Sequence, residues 1–195
     1  TTESYTKQGE NYKETSSWRT LDKNYNMLAI GQLVENILEE NGISVIREEI
    51  LHDYSSYSGS YIRARQSIRE NLKDHDGIHL ILDLHRDASE GSGGQLRTLA
   101  HVDGERSAQL MAVVGTRSEH WQENLSLALK LSALLERSNP GICRPIDLRT
   151  ERFNMDLSVG SMLIEVGATG NTHGEAMIAA NALAQAVMEL IMDNG

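Results

Sequence analysis

The stretch His79-Leu80-Ile81-Leu82-Asp83-Leu84-His85-Arg86-Asp87 decides how this chain folds. Its apolar first half is typical of a strand buried inside a sheet, because such strands carry nearly continuous hydrophobic runs. The run ends in a histidine with aspartates close on either side. That histidine is either a metal ligand or a structural residue with satisfied hydrogen bonds. As a ligand it would need a partner for its second ring nitrogen, and Asp83 and Asp87 are placed to provide one.

A second strand-like run, Ser161-Met162-Leu163-Ile164-Glu165-Val166-Gly167, carries a single acid among apolar residues. Burying an unpaired carboxylate costs several kcal/mol, so Glu165 needs a partner or a function. A salt bridge to Arg86 or Arg152 is the structural alternative. The functional one is proton acceptance from a metal-bound water, whose pKa zinc lowers from about 15.7 to about 7. One ligand and one base on two strands favour a metal-dependent hydrolase, but the pattern supplies no obvious third ligand.

Composition narrows the class of protein. The chain has 195 residues, enough for one domain with a sizeable core, and its formal net charge is −10. An acidic surface argues against a nucleic-acid partner or an anionic membrane. The single cysteine, Cys143, excludes an internal disulfide. We find no signal peptide and no long apolar span, and therefore expect no direct membrane insertion by this chain.

The rest of the chain alternates between helical and strand patterns. The periodicity predicts helices over 22–40, 61–73, 118–137 and from a Thr172/Glu175 capping box to about 192. It predicts strands over 43–46, 79–85, 96–102, 105–114, near 146 and over 162–166, with an Asp103-Gly104 hairpin. We therefore expect a single α/β domain in which helices cover both faces of a largely parallel or mixed sheet. Ligands bind at the carboxyl ends of such strands, where His85 lies and where the loop after Glu165 begins.

Several motifs together resemble the stage II sporulation protein P family of peptidoglycan hydrolases. They follow one another along essentially the whole chain: Thr1-Thr2-Glu3-Ser4-Tyr5, Asp83-Leu84-His85-Arg86-Asp87-Ala88, residues 108–115 and 121–125, Arg152-Phe153-Asn154-Met155-Asp156-Leu157-Ser158, and Leu163-Ile164-Glu165-Val166-Gly167 with Asn171-Thr172. This family is similar in turn to zinc N-acetylmuramoyl-L-alanine amidases of the type 3 kind, which have a phosphorylase-like α/β fold.

The resemblance implies a set of site residues. His85 matches the second zinc-binding histidine, and Glu165 matches the catalytic acid. The acidic ligand at the start of the first helix is matched in position by Asp22, with Glu3 as a rival within its own motif. By pattern alone, the sequence favours Asp22 as a helix N-cap over Asp22 as a ligand.

Three further residues surround the predicted zinc ligand in the sequence. Asp83, Arg86 and Asp87 are expected to orient His85 or to contact the substrate. The first motif's histidines, one of them the remaining zinc ligand, are expected just before Thr1. The chain as given would then lack that ligand and the strand that carries it.

The resemblance also implies a function. We expect a zinc enzyme that cleaves the amide between N-acetylmuramic acid and L-alanine in peptidoglycan during sporulation engulfment. The alternatives are a metallo-endopeptidase that acts only on peptide cross-links and a non-enzymatic cell-wall binding module. Family membership further implies sporulation proteins D and M as partners, and an extracytoplasmic, membrane-anchored location for the intact parent protein.

Overall fold

The structure is a computed structural model, and it describes residues 1–5, 18–91 and 94–192. The elements are α1 Met27–Glu40, α2 Ser60–Asp74, β1 Ile81–Asp87, β2 Glu90–Gly91, β3 Gly94–Gln95, β4 Leu99–Val102, β5 Glu105–Ala108, β6 Leu110–Gly115, α3 Trp121–Ser138, β7 Asp147–Arg149, a 3₁₀ helix at Met155–Leu157, β8 Ser161–Ala168 and α4 His173–Met192.

A four-stranded sheet in the order β1-β8-β6-β7 forms the centre of the domain. β1 runs parallel to β8 and β6 runs parallel to β7, whereas β6 and β8 are antiparallel. The sheet is therefore mixed, within the predicted fold class. The predicted hairpin forms a separate two-stranded sheet of β4 and β5.

One face of the central sheet is covered by helices. α1 packs on α4, α4 packs on α3, and α3 packs on β6. The strands contribute alternate residues to this core, including Ile164 and Val166 of β8, because successive side chains point to opposite faces. Among the described residues, α4 is the one helix with the length and apolarity of a membrane span. The expectation of no long apolar span is therefore wrong for this helix, and its burial between the sheet and two helices accounts for the apolar composition.

The opposite face is more open, and it carries the polar residues of β1 and β8. A small cluster of Met111, Val113, Met155 and Leu163 covers part of it. Helix α2 lies on this side and is attached through polar contacts near the 3₁₀ helix. All residues of α2 retain some solvent exposure. Helices thus lie on both faces, as predicted. The helices α1, α3 and α4 bury a large apolar core on one face, whereas α2 has no buried residue on the other.

One predicted strand is absent from the structure, and another is divided into two. Residues 43–46 form no strand, because no described segment pairs with them, although Ile43 and Val45 do pack against the core. The run 105–114 is divided at Gln109 into β5 and β6, which pair in different sheets. In both cases the local pattern was satisfied by an extended chain, while pairing depended on distant residues.

The first helix begins five residues later than predicted. Its N-cap is Asn26, whose side-chain oxygen accepts a hydrogen bond from the Leu28 N–H at 2.9 Å. Asp22 instead caps a turn before the helix, where its Oδ1 accepts from the backbone N–H of Asn24 at 3.0 Å. The interpretation of Asp22 as the helix cap is therefore wrong.

Candidate active site

His85 and Glu165 are direct neighbours in the central sheet. They occupy the same register position of the parallel pair β1 and β8. Adjacent strands lie about 4.8 Å apart, so the two side chains leave the sheet side by side. Both belong to the open face, because Leu84 and Ile164, the residues before them, pack into the helix-covered core. The two strand runs chosen from the sequence are thus brought together at one point.

Both ring nitrogens of His85 face carboxylates. Nδ1 lies 3.2 Å from Glu3 Oε2, and Nε2 lies 3.1 Å from Asp83 Oδ1. Asp83 reaches the ring because residues two apart on a strand share a face. Burial alone would lower the pKa of His85, but the charges of Asp83 and Glu3 raise it well above its ordinary value.

Glu3 is buried, and the open face of the sheet holds it from several directions. Its Oε2 accepts from the backbone N–H of Arg86 at 3.2 Å and from the Thr1 hydroxyl at 2.8 Å. Arg19 Nη2 lies 3.6 Å from Oε1. Burial opposes the charged form of Glu3, yet His85 and Arg86 hold the pKa of this carboxyl far below its usual range.

Glu165 has a different environment. The residue is 8% exposed, and its Oε2 has no hydrogen-bond partner among the described residues. Neither Arg86 nor Arg152 forms an ion pair with it in the part of the chain that the structure describes. Burial raises the pKa of this carboxyl to about 7, against the opposing charge of His85. A side chain with this pKa exchanges protons readily near neutral pH, as a general base and acid must.

The other predicted residues have structural partners. Asp87 accepts from the Ser89 N–H at 2.8 Å and pairs with Arg144 at 2.7 Å, so it does not orient His85. Arg86 is 3% exposed, and its guanidinium donates to backbone oxygens of Asp87 and Trp18. A role of Arg86 in substrate contact or in orienting His85 stays a prediction, and in this structure its side chain is buried and bound to the backbone.

Asp22 and Glu3 separate clearly in the structure. Asp22 is exposed, and its carboxylate accepts hydrogen bonds from the backbone and the side chain of Asn24. Glu3 touches His85 directly. The sequence favoured Asp22 because it lies near the start of the first helix. In the structure, backbone pairing of Glu3 with Arg19 and of Ser4 with Asn26 places Glu3 at the site instead.

Tyr61 is a site residue that the sequence analysis missed. Its ring stacks on the His85 imidazole, with centroids 6.2 Å apart and planes 13° from parallel. It also contacts Phe153 at 5.7 Å between centroids. Tyr61 lies at the start of α2, and only the tertiary placement of that helix brings it over the site. Nothing in its local sequence pattern indicates this contact.

The donor types of Glu3 and His85 fit a zinc ion. A carboxylate oxygen and an imidazole nitrogen bound to one tetrahedral zinc lie about 3.3 Å apart, and the observed separation is 3.2 Å. Asp83 holds the second nitrogen of His85, as carboxylates do for metal histidines. The described residues contain no group of three or more such side chains, so Glu3 and His85 together are one short of the three protein ligands that catalytic zinc takes.

Comparison with known proteins identifies a matching family. The sequence model of the family described as Stage II sporulation protein P (SpoIIP) matches residues 1–188. Stage II sporulation protein P of Bacillus subtilis (strain 168) is 27% identical over 179 residues, which are 86% of this chain and 44% of that protein. The chain therefore spans less than half the length of this curated relative.

Solved structures show the same fold. The CwlD amidase from Clostridioides difficile, determined in complex with the GerS lipoprotein, is 18% identical with a TM-score of 0.54, covering 85% of this chain and 84% of that one. The N-acetylmuramoyl-L-alanine amidase from Clostridium difficile 630 is 16% identical with a TM-score of 0.53, covering 97% and 96%. At this identity the likeness establishes the fold, and the function rests on the site.

Proposed function

Because the chain belongs to the stage II sporulation protein P family, we propose that it is a zinc-dependent peptidoglycan hydrolase that cleaves the amide between N-acetylmuramic acid and L-alanine. The observation that carries the proposal is the site on the open face of the sheet. A histidine paired with a carboxylate stands beside a buried glutamate, and that glutamate lacks a hydrogen-bond partner for Oε2 among the described residues. The amidase folds of the structural neighbours are consistent with this reaction.

Glu3 and His85 would hold the metal through Oε2 and Nδ1. Zinc, when bound, supplies an activated water and polarises the scissile carbonyl. The third protein ligand would be the histidine that the family resemblance places before Thr1. Asp83 accepts the Nε2 proton of His85, and this fixes the tautomer that leaves the Nδ1 lone pair free for the metal.

Glu165 would move the proton that hydrolysis requires. Its carboxylate takes a proton from the attacking water and delivers it to the leaving nitrogen of L-alanine. A pKa near 7 suits both steps, because the ionised and protonated forms are then close in free energy at neutral pH. The strand holds Glu165 rigidly at the register position of His85, so base and metal ligand keep a fixed separation.

The wider setting is also part of the proposal. We infer that the parent protein acts outside the cytoplasm, anchored to the membrane, on the cell wall remodelled during sporulation engulfment. Sporulation proteins D and M are its proposed partners. These inferences follow from family membership.

The deciding experiment is mass spectrometry of soluble products from purified peptidoglycan. The zinc-loaded protein, extended upstream to include the first-motif histidines, is compared with its Glu165→Gln variant. Stem peptides with a new L-alanine amine, absent from the variant digest, would support the amidase. Severed cross-links with intact muramoyl amides would overturn it in favour of a metallo-endopeptidase. An absence of any products, with retained sedimentation on peptidoglycan, would favour the cell-wall binding module.

A further inference from the structure

Residues 1–5, which include Glu3, are held by hydrogen bonds to the carboxylate of Asp53, which lies outside the site. The backbone N–H of Thr2 donates to both carboxylate oxygens of Asp53 at 2.9 Å, and the Thr2 hydroxyl donates to Oδ2 at 2.6 Å. Thr2 immediately precedes Glu3, so these three bonds fix the backbone from which the Glu3 side chain leaves. Hydrogen bonds to a charged acceptor are about twice as strong as neutral ones.

Arg19 joins the two carboxylates. Its Nη1 donates to Asp53 and to the Thr2 hydroxyl, while its Nη2 lies 3.6 Å from Glu3. The guanidinium also lies 5.3 Å from the centre of the Tyr57 ring, within cation–π range. The Asp53 side chain is 3% exposed. A carboxylate buried to this extent is stable only with such partners. Asp53 therefore needs Thr2 and Arg19, just as these residues need Asp53 to hold their positions.

The loop that contains Asp53 is itself fixed to α2. Arg63 donates through Nε to the backbone oxygen of His52 at 2.8 Å. Arg65, two residues further along α2, pairs with Asp156 at 2.6 Å. A continuous set of contacts therefore runs from the open face of the sheet through α2 to Asp53 and ends at Thr2.

We propose that Asp53 is a positioning residue that fixes the Glu3 carboxylate beside His85 for metal binding. This inference rests on the proposed function, since it gives Glu3 its role as a ligand. Asp53 does not touch His85 or Glu165; it acts through Thr2 and Arg19. Without Asp53, residues 1–5 and 18–20 still share the Ser4 and Thr20 backbone hydrogen bonds. They lose the hydrogen bonds and the ion pair to the loop before α2, where the contact of Arg19 with the Tyr57 ring remains.

The test compares Asp53→Asn with Glu49→Gln in the full chain. The control breaks exposed ion pairs with Lys23 and Arg47 in the same loop and leaves Thr2 untouched. Amide hydrogen exchange measured by NMR shows, without any metal, how firmly the contacts to Asp53 hold residues 1–5 and 18–20. In Asp53→Asn we expect at least tenfold faster exchange at Ser4 and Thr20, and unchanged exchange in β8 and in the control.

Zinc affinity, measured by competition with a chromophoric chelator, reports the consequence for the site. We expect the affinity to fall about tenfold in Asp53→Asn, as is usual when support for a metal ligand is removed, and to stay unchanged in the control. Thr2→Val removes the hydroxyl bonds to Asp53 and from Arg19 with little change in volume, and it must show both effects in smaller measure. This second variant keeps the test valid if Asp53→Asn unfolds.

Unchanged exchange at Ser4 and Thr20 in both variants would overturn the inference. If the wild-type chain binds no zinc, the proposed function fails separately. The exchange rate of Arg86, whose N–H donates to Glu3, then still decides whether Asp53 positions this carboxylate. Normal zinc affinity together with faster exchange would show that Asp53 is structural and has no positioning role.

Discussion

We expect the metal-free Glu165→Gln variant to become progressively more stable than the wild type as the pH increases from 5 to 8. The quantity that grows is the free energy of unfolding of the variant minus that of the wild type. The reason is the burial of this carboxyl within the sheet, where Oε2 finds no hydrogen-bond partner among the described residues. Burial raises its pKa from 4.5 to about 7. Glutamine has nearly the same shape but no charge to bury.

The sign follows from proton linkage. A pKa that is higher in the folded state means that the folded protein holds the proton more tightly than the unfolded chain. Stability is therefore complete below about pH 4.5, falls as the pH rises toward 7, and stays low above it. At about 1.4 kcal/mol per pKa unit, the buried Glu165 lowers the free energy of unfolding by about 3 kcal/mol at pH 8, where it is ionised. At pH 5 the folded protein holds it protonated, and the proton taken up on folding lowers this free energy by about 1 kcal/mol.

The measurement is urea unfolding in the presence of EDTA at pH 5, 6.5 and 8. The free energy of unfolding of Glu165→Gln minus that of wild type should increase by about 2 kcal/mol between pH 5 and pH 8. Any fixed cost of burying the amide cancels in this comparison. Glu40→Gln, at an exposed helix end, is the matched control and should show a constant difference. A constant difference for Glu165→Gln as well would refute the argument that burial makes this residue a proton carrier near neutral pH.

Three other features give direct tests of the fold. Gly160→Ala would place a Cβ 2.0 Å from the His79 carbonyl oxygen and should lower the free energy of unfolding in urea by about 2 kcal/mol. The control Gly77→Ala has open space around the added Cβ and should change this free energy by less than about 0.5 kcal/mol. Equal effects of the two substitutions would contradict the close approach of the Gly160 and His79 backbones. Thr172→Ala removes the hydroxyl that caps α4 and should cost about 1 kcal/mol in thermal unfolding, and an unchanged melting temperature would show that the cap is dispensable. Burial raises the pKa of the Cys143 thiol to about 12, so its reaction with a disulfide reagent at pH 8 should be more than a hundredfold slower than that of an unfolded control, and a rate near that of free cysteine would contradict its burial.

Local sequence patterns predicted most of the elements. Helix α2 lies within a residue of its predicted bounds, the Asp103-Gly104 hairpin is present, and the Thr172/Glu175 box caps α4. These features depend on interactions between residues a few positions apart. The strand predicted over 43–46 is wrong for the converse reason, since a strand exists only through the hydrogen bonds of a partner.

The site was predicted in part. His85 and Glu165 stood out because each places a polar side chain in an apolar run, and the structure brings them to one register position. The pattern did not distinguish Asp83 from Asp87 as the residue that orients His85. Strand geometry decides this, because Asp83 shares the face of His85 while a register irregularity separates His85 from Asp87.

The sequence by itself determined the family, the α/β class and the two strands that carry the chemistry, because these depend on residue order and local periodicity. Only the tertiary structure decided that Glu3 meets His85, that Asp22 does not, and that Tyr61 and Asp53 frame the site. Those contacts join segments that are far apart along the chain. Burying these charged side chains costs free energy unless they are paired, and the pairing exists only in the folded arrangement, which no local stretch of sequence contains.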